Sequence, residues 1–162
     1  MTIMDFCIWL EASTVGVAIS ESEWLFPTIE TVHVLALTLV IGSIAMLDLR
    51  LLGVSWRDRS VIELAADTLP WTWGAFVVAA ISGVLMFVSA ATTYYDNVPF
   101  RIKLVLLALA GVNMAIFHFT AYRRVHHWSD QVRTPVAARI AATLSLTFWV
   151  GVVFAGRWIG FV

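Results

Sequence analysis

The sequence predicts an all-α integral membrane protein: four spanning helices in an up-and-down bundle, preceded by an amphipathic helix at the surface. Three observations carry that fold class. Of 162 residues, 60% are apolar and only 13% charged, whereas a soluble domain has about half and a quarter; mean hydropathy is +0.88. Four apolar stretches reach the length of about 20 residues that a hydrocarbon core demands. Eight Trp, ten Phe and three Tyr supply the amphipathic anchors of a membrane interface. Ten Lys and Arg against eleven Asp and Glu give a net charge of −1, so no basic field draws nucleic acid. The lone Cys7 excludes an internal disulfide, a Cys-rich zinc site and the paired cysteines that attach c-type haem.

The N-terminal stretch carries Asp5 and Glu11 and lacks the basic start of a signal peptide. Ile3, Phe6, Trp9, Leu10 and Val17 predict instead an amphipathic helix over about residues 5–19, lying on the outer interface. The first span covers about residues 26–52, with Pro27 in its first turn and Gly53 at its end. The second, about 70–93, opens on Pro70; the third, about 100–122, follows Pro99; the fourth, about 136–158, follows Pro135. All four prolines thus stand at helix entrances, where a missing N–H costs least. Short connections make antiparallel neighbours of one transmembrane domain, residues 1–162.

Small-residue ridges at Ala75/Ala79/Gly83, Gly111/Ala115 and Gly151/Ala155 let helix backbones approach closely. They serve the internal bundle or, alternatively, a second protein such as another copy of the chain. Arg50, Arg57, Arg59, Arg123, Arg124, Arg133 and Arg139 fall on one side, and Arg101, Lys103 and Arg157 on the other. By the positive-inside rule both termini are periplasmic in a bacterial inner membrane.

Ionisable groups within a span are functional candidates by default. The first span holds Glu30, His33 and Asp48, which lie within about 60° of one another around the helix. At Asp48, near the inner end, an ion pair with a neighbouring arginine is as good a reading as a functional one. The third span holds Lys103, Asn113 and His118. At about 1.5 Å rise per residue, His33 and His118 differ by roughly 17 Å in depth, too far to ligate one haem, while Met86 on the second span is level with His33. The single Glu30-x-x-His33 pair falls short of a di-iron site, which needs two such pairs. His126 and His127 belong to a basic, aromatic connection suited to lipid head groups. No phosphate loop, nucleophile elbow or hydrolytic triad is present, and no catalytic residue is assigned.

The distinctive segments are the run Trp24-Leu-Phe-Pro-Thr-Ile-Glu-Thr-Val-His33, continuing to Gly42 and Asp48-Leu-Arg-Leu-Leu-Gly53, and then Phe100-Arg-Ile-Lys103 followed by Ala110-Gly-Val-Asn113 and Phe117-His118. Together they resemble a bacterial family of small four-helix membrane proteins of unknown function, over nearly the whole chain. More distantly, the first-span His with its charged inner end is similar to the copper-resistance CopD proteins and to the HemJ-type protoporphyrinogen oxidases, which bind b-type haem. That resemblance implies haem through His33 and transfers no substrate.

The leading expectation is a b-type cytochrome-like membrane protein taking part in electron transfer, with a redox partner. His33 is the axial ligand of an outer haem b and Glu30 orients its imidazole. Arg101, Lys103 and Arg157 face the propionates, and His118 serves a separate inner cofactor. Two alternatives stand beside it. One is the handling of copper or another small solute along a polar path of Glu30, His33 and Asp48. The other is a non-catalytic accessory subunit of a larger membrane complex.

Overall fold

In the computed structural model, which describes residues 2–131 and 134–161, the chain is helical with no strand among those residues. Helix α1 (Ile3–Glu11) starts earlier than expected because Thr2 and Asp5 cap it reciprocally. Thr2 Oγ1 accepts from the Asp5 N–H at 3.1 Å, and Asp5 Oδ2 accepts from the Thr2 N–H at 2.7 Å. The single helix expected over 5–19 is broken: α2 (Thr14–Ser20) leaves α1 at 64°. Ser13 Oγ accepts from the Gly16 N–H at 3.1 Å, starting a new helix. A Cβ on Gly16 would stand 2.6 Å from the Glu11 carbonyl oxygen, so glycine alone fits this close approach.

Four helices are long and apolar enough to cross a bilayer. They are α3 (Leu25–Leu52), α4 (Val61–Ser89) and, after the short α5 (Ala91–Asp96), α6 (Val98–Phe119) and α7 (Val136–Trp158). The first and fourth follow the expected limits closely. The second does not open on Pro70. Ser60 and Glu63 form a capping box that starts α4 at Val61, and Pro70 lies exposed inside the helix. There it removes one hydrogen bond, to the Ala66 carbonyl. Helix α4 ends at Ser89 because Ala90 leaves helical geometry (φ −154°, ψ 47°). Helix α6 ends at Phe119, and a 3-10 turn, Tyr122–His127, carries the chain on.

Helix α3 packs along α4, α6 packs along α7, and α3 meets α7, whereas α4 and α6 make no comparable contact. The small residues are used inside the bundle. Ala75 and Ala79 are buried, Gly83 lies against the His33 ring, and Gly151 lies against the Leu106 side chain. Gly111 faces open space.

One end of the bundle is locked by Arg50, which is fully buried. Its Nε donates to the Arg59 carbonyl at 2.7 Å and its Nη2 to the Ser129 carbonyl at 3.2 Å. The Val61 N–H donates to the same Ser129 carbonyl at 3.1 Å, and Thr134 Oγ1 donates to Leu51 O. These bonds join the end of α3 to both loops, over a core that includes Leu51, Val61, Val125 and Trp128. The arginines expected on the inner side gather at this end, except Arg133, which lies outside the described residues. At the other end Glu11 Oε1 accepts from the Thr92 N–H at 2.8 Å and from its hydroxyl at 2.7 Å, fixing α1 to α5.

Candidate functional site: a carboxylate in a bundle cavity

Along α3, Val40, Ser43, Ile44, Leu47, Asp48 and Leu51 recur at helical spacing and line one cavity of about 240 Å³. All four spanning helices contribute to it. Thr68, Thr72 and Trp73 come from α4; Asn113 and Met114 from α6; Ser145 and Trp149 from α7. The lining is overwhelmingly apolar, and its few polar groups are mostly satisfied within the bundle. Thr72 Oγ1 lies 2.7 Å from Ser43 Oγ and 3.0 Å from the Thr68 carbonyl, while Ser43 Oγ donates to the Leu39 carbonyl at 2.8 Å. Asn113 Nδ2 donates to the Ala141 carbonyl at 2.9 Å, tying α6 to α7.

Asp48 is the exception. The residue is 6% exposed and shares the cavity wall with Ser145, and its Oδ2 has no hydrogen-bond partner among the described residues. No cation completes it: the ion pairs among the described residues are Arg59–Asp67 at 2.7 Å and Arg101–Asp96 at 3.7 Å, both exposed. The expected ion pair of Asp48 with an arginine is therefore absent among the described residues: Arg50, on the opposite side of α3, turns its Nε and Nη2 to loop carbonyls, and its buried Nη1 is likewise without a partner there. A carboxylate in an apolar cavity requires a proton, a hydrogen-bond donor or a cation. Chemically, the arrangement can receive a donor group.

The other candidate residues are dispersed. His33 is buried in the α3–α4 seam, its Nδ1 3.0 Å from Ser82 Oγ, and a Cβ on Gly83 would stand 3.1 Å from its Cε1. Met86 lies one turn beyond Ser82 on α4, half-buried. Glu30 is exposed, within electrostatic reach of His33 and of Tyr94. Burial holds the Tyr94 phenol above its ordinary value, and the Glu30 carboxylate acts in the same direction. Lys103 is half-buried on α6 and also within electrostatic reach of His33.

Arg101 is spent on the Tyr95 carbonyl at 2.7 Å and lies over the Tyr95 ring; Arg157 lies over the Phe161 ring. His118 is exposed near the far end of α6, stacked on Tyr122 with ring centres 5.4 Å apart. Among the described residues no three His, Cys, Asp or Glu side chains converge as metal ligands. Neither His33 nor His118 lines the Asp48 cavity.

Fold and site together define a polytopic helical membrane protein with an acidic group inside its bundle. The chain belongs to a family of unknown function, DUF6644, which matches residues 6–162. No curated protein and no solved structure matches it.

Proposed function

We propose that the chain is a small-solute-handling membrane protein that receives its solute in the four-helix cavity at Asp48. The observation that carries this reading is the buried Asp48, a residue of the cavity wall whose Oδ2 lacks a partner among the described residues. A group kept in this state against a cost of several kcal/mol is a functional candidate. The test is a thermal-stability screen of the purified chain against copper ions, sodium and small organic cations. A solute that binds the folded state raises the unfolding midpoint. The expected result is at least one solute that stabilises the wild type and not Asp48→Asn; stabilisation equal in both contradicts the proposal.

A second reading, a b-type cytochrome with haem b on His33, is favoured by one observation. The Ser82 hydroxyl donates to the Val78 carbonyl at 2.7 Å, so His33 Nδ1–H is the donor toward Ser82 and Nε2 keeps its lone pair. That tautomer is the one an iron takes, and Met86 is on the same α4 face as Ser82. Haem at this site would supply one-electron chemistry; Glu30 and Lys103 are the charged groups in reach of the imidazole. An absorption band in the Soret region, lost in His33→Ala, is the expected signature, and a colourless, iron-free protein contradicts it.

The proposal includes location. The chain sits in a bacterial inner membrane with both termini periplasmic and α1 and α2 on the outer interface, supported by the distribution of Lys and Arg. Each of these two helices, of 9 and 7 residues, is too short to cross alone. Reporter fusions at the C-terminus are expected to read periplasmic; a cytoplasmic reading contradicts the orientation.

A further inference from the structure

The cavity has a side that the bundle does not close. Helices α4 and α6 make little contact, and the residues that line the cavity on these two helices also lie on the outside of the bundle. Trp73 and Met114 are each 51% exposed and Phe76 42%. Gly111 lines the same gap, and a Cβ there would meet nothing within 4 Å. This surface belongs to helices long and apolar enough to span a bilayer, so the gap opens toward lipid tails. Its rim is apolar and aromatic, and the cavity wall behind it includes Asp48, whose Oδ2 has no partner among the described residues.

We propose that the gap between α4 and α6 is a lateral entrance and that the ligand is a lipophilic amine, admitted from the bilayer in protonated form. This rests on reading the cavity as a solute site and adds the class of solute and its route. The apolar body of such a molecule lies against Trp73, Phe76 and Met114. Its ammonium donates an N–H to Asp48 Oδ2, a charge-assisted bond that completes the lone acceptor. An aromatic rim stabilises an ammonium group through its ring faces as well. A neutral amphiphile satisfies the rim alone, and an anion is repelled by Asp48.

The test uses the full chain in phosphatidylcholine nanodiscs, with bromohexylamine and its neutral counterpart bromohexanol as probes. Bromine quenches tryptophan fluorescence on contact, and Trp73 and Trp149 line the cavity. The expected result is saturable quenching by the amine at a concentration about tenfold below that needed for the alcohol, the effect of one charge-assisted bond. Asp48→Asn is expected to bring the amine to the level of the alcohol. Gly111→Leu, whose side chain enters open space and leaves the helices in place, is expected to weaken both.

Equal affinity for amine and alcohol, or amine binding indifferent to Asp48→Asn, overturns the amine assignment. In that event weakening of both probes by Gly111→Leu still supports the cavity as a solute site. Binding untouched by Gly111→Leu overturns the lateral entrance. Absence of saturable quenching by either probe contradicts the solute site itself.

Discussion

Asp48 and Arg50 lie two residues apart on α3, both buried, and do not pair. The guanidinium of Arg50 turns to the Arg59 and Ser129 carbonyls, while the Asp48 carboxylate lines the four-helix cavity beside Ser145. Two positions along a helix is about 200° of rotation, so the two side chains leave opposite faces. One of these charged residues therefore builds the fold and the other stands apart from it.

Substitution separates the two roles. Arg50→Ala takes a donor from the Arg59 carbonyl and one of two from the Ser129 carbonyl, empties a buried site between two loops, and is expected to cost about 2–4 kcal/mol. Asp48→Asn removes an incompletely satisfied carboxylate and is expected to leave stability unchanged or raise it. Thermal unfolding of the purified variants checks both. Equal destabilisation by the two substitutions would show that the residues act as an ion pair after all.

His33 and Gly83 are coupled by contact. Gly83→Ala presses a methyl against the imidazole, 3.1 Å from Cε1, and is expected to cost about 1–3 kcal/mol. With His33→Ala the added methyl enters vacated space, so the double variant should be more stable than the sum of the single effects implies. Strict additivity in the unfolding midpoints would mean that the ring does not pack there.

Glu11 holds the N-terminal helices to α5 through Thr92. Its replacement by Ala removes both bonds and is expected to loosen α1 from α5. Cys7, 2% exposed on α1, reports that loosening. Maleimide should modify it slowly in the wild type and several-fold faster in Glu11→Ala, since local opening sets the rate. Fast modification of the wild type would contradict the docked position of α1.

The helices were legible because lipid demands long apolar runs, and four of them appear in the sequence. Their limits were read less well where local chemistry competed. Pro70 draws the eye as a helix start, yet Ser60-Val-Ile-Glu63, a visible capping box, begins α4 earlier. The break at Ser13 depends on the tight approach of Gly16 to the Glu11 carbonyl, which no single-helix pattern reveals.

Within the site, periodicity placed Glu30, His33 and Asp48 on one stripe of α3. What it could not supply was the partner of each: exposure for Glu30, Ser82 for His33, and an open cavity for Asp48. Ser43, Thr68, Thr72 and Ser145 carry no signal in the sequence, since a hydroxyl in a membrane helix is ordinarily satisfied by a carbonyl of its own helix. That they share one cavity wall with Asp48 depends on the helix order α4–α3–α7–α6, a tertiary fact.

The most direct measurement is labelling of the intact chain in lipid with dicyclohexylcarbodiimide, which dissolves in the bilayer and couples to protonated carboxyl groups sheltered from water. Mass spectrometry after proteolysis locates the product, an N-acylurea carrying all the atoms of the reagent. A dominant adduct on Asp48, diminished by saturating bromohexylamine and absent in Asp48→Asn, is the result expected of a carboxyl group in a cavity open to the membrane that holds a proton when empty and releases it when the ammonium binds. Labelling that spares Asp48 while modifying Glu30, or proceeds at Asp48 regardless of the amine, would contradict a ligand site at that residue.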